Sequence, residues 1–202
     1  MRRPDRIVLA TGNAKKLAEL RRVLAAENLD VEVLGLGDFP AYPEPAETEK
    51  TFEGNALIKA TEAARRTGLV AVADDSGIEV DELNGMPGVR SARWAGPACD
   101  DAANNALLLA QLDGVPTERR TGRFVCALAV VSPDGETHVW HGTMEGRVAE
   151  SEAGEGGFGY DPLFVPYGET RSSAELTAEE KDAISHRGKA VRAFVAYLKE
   201  LA

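Results

Sequence analysis

Ala73-Asp74-Asp75-Ser76-Gly77 places two adjacent carboxylates directly after the apolar run Leu69-Val70-Ala71-Val72. The run reads as a buried strand, and Ser76-Gly77 is expected to turn the chain at its end. An acid pair at a strand end can hold Mg²⁺, which takes oxygen ligands and divides its coordination between one or two carboxylates and substrate phosphates. Successive side chains on a strand point to opposite faces. At most one of Asp74 and Asp75 therefore faces any one site, and the other must be hydrogen-bonded elsewhere. An acidic turn capping the next element would carry the same residues, so the neighbouring segments decide between the two readings.

Two further segments gather cations where a helix should begin. Thr11-Gly12-Asn13-Ala14-Lys15-Lys16 offers Asn13 as an N-cap and then sets two lysines in the first helical turn. That turn is the positive end of the macrodipole, where cations are disfavoured. A bound anion removes the conflict, because backbone N–H groups, dipole and lysine all favour phosphate. The spacing is not that of a Walker loop, and two solvated lysines would also satisfy it. Ser185-His186-Arg187-Gly188-Lys189 repeats the conflict near the C-terminal end, with Ser185 as the cap and Lys181 just upstream. Arg187 can present a planar fork to an oxygen or a base edge. His186 could equally be bonded to nearby backbone.

Gly156-Gly157-Phe158-Gly159-Tyr160-Asp161-Pro162 is the third element. Its glycines allow close backbone approach to a ligand. Phe158 or Tyr160 could offer a ring face to a base, and Asp161 could accept from a sugar or base. The alternative is a tight loop whose aromatics plug the core. Lys59 follows Ala56-Leu57-Ile58, so its stem is expected on an apolar face with its head at the helix edge. Glu44, Glu47, Glu49 and Glu53 form an acidic stretch that is either a solvated loop or the source of a second metal carboxylate.

The elements that must position these residues alternate at first between strand and helix. Ile7–Ala10 reads as a strand, followed by a helix with Leu17, Leu20, Val23 and Leu24 on one face. Val31–Leu34 reads as a second strand, 35–50 as an irregular Pro- and Glu-rich loop, and 52–66 as a second helix leading to the strand 69–73. Turns and short strands are expected over 77–98, and a helix over 100–112. A strand over 124–131, a turn at Ser132-Pro133-Asp134-Gly135, a return over 137–142 and a further strand over 144–149 follow. A short strand at 163–165 precedes a partly helical stretch over 173–184. The last helix is expected over 188–201, with Val191, Phe194, Val195 and Leu198 inward. This pattern predicts a mixed α/β fold, elongated or two-lobed, with a cleft between the lobes.

A length of 202 residues suits one domain, or one domain with a lobe. The net charge of −10 argues against general binding to nucleic acid or anionic membranes, and leaves a small anionic substrate open. Cys99 and Cys126 form no disulfide framework or zinc spacing, and Cys126 sits in an apolar run as a core thiol. No signal-peptide pattern and no membrane-spanning run is evident, so a cytoplasmic location is expected.

The ordered set of motifs resembles the non-canonical purine nucleoside triphosphate pyrophosphatases, the inosine/xanthosine triphosphatase family. The resemblance runs through Leu9–Asn13 with Lys16, Thr51-Phe52 with Asn55-Ala56 and Lys59-Ala60, and Ala73–Gly77. It continues through Leu83-Asn84-Gly85, Pro87-Gly88 and Ser91-Ala92-Arg93, and closes with Gly156–Pro162, Lys181 and Ser185–Gly188. It implies an elongated two-lobed sheet flanked by helices, hydrolysis of inosine, deoxyinosine or xanthosine triphosphate to monophosphate and pyrophosphate with Mg²⁺, and a homodimer.

By this resemblance Thr11, Gly12, Asn13, Ala14, Lys15 and Lys16 form the triphosphate loop. Asp75 is the catalytic carboxylate and a metal ligand, and Glu47 is the second metal ligand. Lys59, Ser76, Phe158, Gly159, Tyr160, Asp161, Lys181, His186 and Arg187 bind substrate. The chain departs from the pattern at Gly54, where many members carry Glu; neighbouring Glu53 could substitute. Two rival readings are a house-cleaning pyrophosphatase for pyrimidine triphosphates, which would lack the Ser185–Gly188 ending, and a nucleotide sensor without turnover, which would not need both Asp74-Asp75 and Lys16.

Overall fold

The structure is a computed structural model that describes residues 2–201; Met1 and Ala202 lie outside them. The apolar segment at the start forms β1 (Arg6–Leu9), which leads to α1 (Ala14–Ala26) and β2 (Glu32–Gly35). Asn13 caps α1, its side-chain oxygen accepting the N–H groups of Lys15 and Lys16 at 2.9 and 3.4 Å. These donors would otherwise lack a partner within the helix. α1 buries Leu20 and Leu24 and packs Leu17 and Val23 partly against the same core, as the spacing predicts.

α2 (Phe52–Thr67) starts at Thr51, whose hydroxyl accepts the Gly54 N–H at 3.1 Å, and stops at Gly68 in the left-handed region. Its buried face is Ala56, Ala60, Ala63 and Ala64, packed with Val8, Ala71, Ala73 and Ala129. Such small residues let a helix approach a sheet closely.

β3 (Val70–Val80) runs well past the acid pair. The expected turn at Ser76-Gly77 is therefore corrected: both residues lie inside the strand. Gly77 is there for close approach. A Cβ on it would stand 2.3 Å from Ser91 Oγ and 2.6 Å from the Gly88 carbonyl oxygen. Ser91 Oγ accepts the Ile78 N–H at 2.9 Å, which holds that neighbouring turn against the strand.

β4 (Met86–Pro87), α3 (Asp101–Gln111), β5 (Thr121–Val131) and β6 (Thr137–Val148) follow. The two strands expected over 137–149 are one, because extended backbone continues through Gly142 and Thr143. β7 (Phe164–Pro166), α4 (Ala178–Ile184) and α5 (His186–Glu200) complete the chain. α5 begins at His186, two residues earlier than expected, and Ser185 Oγ accepts the Gly188 N–H at 2.9 Å.

The fold is mixed α/β. A seven-stranded sheet has the order β2-β1-β3-β5-β6-β7, with β4 pairing β3. β1 is parallel to β2 and β3, while β3–β4 and β6–β7 are antiparallel. The chain forms two compact units. The first holds residues up to Asp75, Cys126–His141 and the chain from Lys189; its core joins Ile7, Leu9, Val72, Cys126 and Leu128 to Val191, Phe194, Val195 and Leu198 of α5. The second holds Ser76–Val125 and Gly142–Gly188, with a core of Ile78, Val80, Leu108, Phe124, Leu163 and Phe164 among others. Among the described residues, no helix is long and apolar enough to cross a membrane.

Candidate active site

In the first unit, carboxylates and lysines interlock around Asp74 and Asp75. Both acids are buried at the midpoint of β3. Lys16, in the first turn of α1, sends its ammonium to Asp74 Oδ2 at 2.8 Å. Lys59 donates to Asp75 Oδ1 at 3.0 Å and to Glu47 Oε1 at 3.1 Å. Asn55 lies four residues before Lys59, so both sit on one face of α2. Its side-chain amide donates to Asp75 Oδ2 at 3.3 Å, and its oxygen accepts the Glu49 N–H at 3.0 Å. Through Asn55, α2 anchors both the catalytic candidate and the acidic loop.

Burial pushes the Asp75 carboxyl upward, against the nearby Lys59 ammonium, which pulls the other way. Burial would also discharge Lys59, but the charges of Asp75, Glu47 and Asp74 outweigh it and hold the ammonium more firmly protonated than usual. Adjacent residues on a strand thus each meet their own lysine, as the alternation of strand side chains requires.

Thr11 Oγ1 accepts the Asn13 N–H at 3.1 Å, and the space around Gly12 is open. Ala14 and Lys15 are exposed at the start of α1. Glu53 does not join the cluster; its carboxylate lies 3.3 Å from His141 Nε2. A Cβ at Gly54 would stand 2.6 Å from Glu49 Cβ, so the loop occupies the space a side chain there would need.

In the second unit, a pocket of about 120 Å³ is lined by Ser76, Phe124, Phe158, Tyr160, His186 and Arg187 among others. His186 is buried and stacks on Phe124, ring centroids 4.9 Å apart and planes 13° from parallel. Arg187 Nη2 donates to Ser76 Oγ at 3.0 Å. Arg187 and Lys181 also lie 5.6 and 5.3 Å from the centroid of the Phe158 ring, within cation–π range. Asp161 Oδ2 accepts the Phe158 N–H at 2.8 Å and pairs with the Lys181 ammonium. Gly157 makes this possible: at φ +71°, a Cβ would fall 2.1 Å from that same oxygen.

The two aromatics of the loop take different roles. Tyr160 is a core plug whose hydroxyl donates to the Ser91 carbonyl at 2.8 Å. Burial pushes its phenol well above the ordinary range, with the Asp101 charge adding to the effect. Phe158 stays 37% exposed at the pocket. A flat apolar ring beside two cations and a carboxylate is chemistry suited to a planar, polar heterocycle with an anionic tail.

Residues 7–197 of this sequence match the Ham1 family. The chain belongs to that family. A Frankia alni protein named dITP/XTP pyrophosphatase is 58% identical over 201 residues, covering 97% of this chain and 98% of that one. The crystal structure of a nucleoside-triphosphatase / dITP/XTP pyrophosphatase from Mycobacterium abscessus is 57% identical, with a TM-score of 0.77 over 94% of this chain and 97% of that one. A HAM1 protein structure from Coxiella burnetii is 40% identical, with a TM-score of 0.88 over 96% of this chain and 98% of that one.

Within this Ham1 fold, the first unit gathers Lys16, Glu47, Lys59 and Asp75 beside the Thr11–Lys16 turn. The second gathers Ser76, Phe158–Asp161, Lys181, His186 and Arg187. The chain passes from one unit to the other between Asp75 and Ser76. The Asn55 bond to Asp75 and the stacking of Phe124 on His186 are absent from the sequence expectations. The i, i+4 spacing of Asn55 and Lys59 would have signalled the first. Nothing local signals the second, because Phe124 reads as an ordinary strand residue.

Proposed function

We propose that this protein hydrolyses inosine, deoxyinosine and xanthosine triphosphates to the monophosphate and pyrophosphate, clearing them from the nucleotide pool. The observation that carries the reading is the pair of consecutive residues Asp75 and Ser76. Asp75 sits in a buried carboxylate–lysine cluster and Ser76 is bonded to Arg187 in an aromatic pocket. Relatives named dITP/XTP pyrophosphatase at up to 58% identity over nearly the full chain support it.

Lys16 and the first turn of α1 would hold phosphates, since the ammonium and the helix end both favour an anion. Glu47 and Asp75 would hold Mg²⁺. They are oxygen donors that already converge on one cation, the Lys59 ammonium. Mg²⁺, when bound, would neutralise charge on the phosphate oxygens. Asp75 would orient, and could deprotonate, a water that attacks the α-phosphorus, with pyrophosphate leaving. Phe158 would cover the base, and His186 and Arg187 would read its edge. A donor aimed at a 6-oxo oxygen meets an amino group in adenine, and such a mismatch can discriminate by ~10⁴.

A homodimer in the cytoplasm, acting on free nucleotides and binding neither nucleic acid nor membrane, belongs to the same proposal. Met86 is an exposed apolar side chain in the segment that also holds Val89 and Trp94, a surface that could pair about a two-fold axis. A monomer by sedimentation at micromolar concentration would refute the dimer. The reaction is tested with a panel of triphosphates and Mg²⁺, assaying phosphate and pyrophosphate separately. Pyrophosphate from inosine triphosphate is expected; orthophosphate with the nucleoside diphosphate as first products would overturn the assignment.

A further inference from the structure

Helix α3 holds the pocket loop by its backbone. Asp101 Oδ2 accepts the Gly159 N–H at 2.8 Å, and the Asn105 side-chain amide donates to the Gly159 carbonyl at 3.2 Å. The two side chains lie four residues apart, on one helix face. A peptide unit is planar. Holding the Gly159 N–H therefore fixes the plane shared with Phe158, and holding its carbonyl fixes the plane shared with Tyr160. Glycine is the residue with most backbone freedom, and here both planes beside it are set from one helix.

The same helix fixes a second wall. Asn104 donates to the Ala92 carbonyl at 3.0 Å and accepts the Ala95 N–H at 2.7 Å. Ala92, Asp101 and Gly159 all line the pocket.

Asn105 is informative for what it lacks. Among the described residues, its side-chain oxygen is buried without a hydrogen-bond partner, a costly arrangement that an apolar residue would avoid. Its amide reaches Gly159, and only a donor fits opposite that carbonyl.

We propose that Asp101 and Asn105 are positioning residues for base recognition, clamping Gly159 so that Phe158 is preset to receive a planar purine. The inference rests on the hydrolysis of purine triphosphates proposed above. Preorganisation of this kind lowers the cost of binding, so it acts on KM and on base choice more than on kcat.

The test measures kcat, KM and melting temperature for wild type, Asp101→Ala, Asp101→Asn and Asn105→Leu, with inosine and adenosine triphosphates. Asp101→Ala and Asn105→Leu are each expected to raise KM for inosine triphosphate about tenfold, with kcat within about twofold. The preference for inosine over adenosine triphosphate should narrow. Asp101→Asn keeps an acceptor for the Gly159 N–H and should recover most of the loss. Asn105→Leu should melt no lower than wild type, which separates positioning from a general weakening of the fold. Unchanged KM in both Asp101→Ala and Asn105→Leu, or equal losses for both nucleotides, would overturn the clamp while leaving the hydrolysis intact. A wild type that releases no pyrophosphate from inosine triphosphate would remove the underlying reading, and the clamp with it.

Discussion

Replacing Lys59 by Met removes the ammonium shared by Asp75 and Glu47 while keeping most of the stem. The three side chains are neither fully buried nor exposed: exposures are 16% for Lys59, 12% for Asp75 and 26% for Glu47. Breaking a buried pair costs about 3–5 kcal/mol and an exposed one about 0–1, so an intermediate loss of roughly 2 kcal/mol is expected. For a chain of this length that lowers the melting temperature by about 4–8 °C. The variant leaves the two carboxylates with a larger net negative charge, which a divalent cation can offset. Mg²⁺ at a hundred times its dissociation constant would add about 2.7 kcal/mol, enough to recover the loss. Wild type should gain less, because the ammonium competes for the same oxygens. Thermal melts of both proteins in EDTA and in millimolar Mg²⁺ read this directly. A variant that melts like wild type in EDTA would show that the shared ammonium does not stabilise the fold. Equal Mg²⁺ shifts in the two proteins would refute competition between Lys59 and the metal at Glu47 and Asp75.

Asp75→Asn is expected to lower kcat for inosine triphosphate by far more than tenfold, with circular dichroism unchanged; retention of over a tenth of the activity, a barrier change under ~1.4 kcal/mol, would dismiss Asp75 as the key carboxylate. Arg187→Ala should cost inosine and xanthosine triphosphates more than adenosine triphosphate, whereas Lys16→Ala should harm all three alike, because phosphates carry no base information. Comparing kcat/KM across these nucleotides checks both, and equal losses in Arg187→Ala would make that residue a general clamp. Gly77→Ala should destabilise by about 1–3 kcal/mol, since its Cβ would overpack against the Gly88–Ser91 turn; an unchanged denaturation midpoint would contradict the close packing.

Helices with a strong local signature were legible in the sequence. Asn13, Thr51 and Asp100 begin α1, α2 and α3 because each side chain satisfies a backbone donor that the helix cannot. Apolar residues at helical spacing fixed which faces of α1 and α5 are inward, and Leu20, Leu24, Phe194 and Leu198 are buried accordingly. The chemical groups were legible too, since two cationic helix starts and an acid pair conflict with their local setting unless opposite charge answers them, as Lys16 answers Asp74 and Lys59 answers Asp75.

Local residue types misled where tertiary contact overrode them. Ser76-Gly77 looks like a turn, yet it continues β3 because the Gly88–Ser91 segment fills the space beside Gly77. The break expected near residue 143 is absent for a similar reason: strand pairing along β6 outweighs a weak local signal. Pairings between distant residues were beyond any local rule. That Lys16 meets Asp74, that Lys59 joins Glu47 to Asp75, and that Phe124 stacks on His186 depend on which strands and helices become neighbours. Sequence fixes a side chain's chemistry and its place on its own element, because these follow from bonds and dihedrals within a few residues. Which lysine neutralises which carboxylate is decided by packing of the whole chain, because Coulomb and hydrogen-bond energies depend on distances that only the tertiary structure sets.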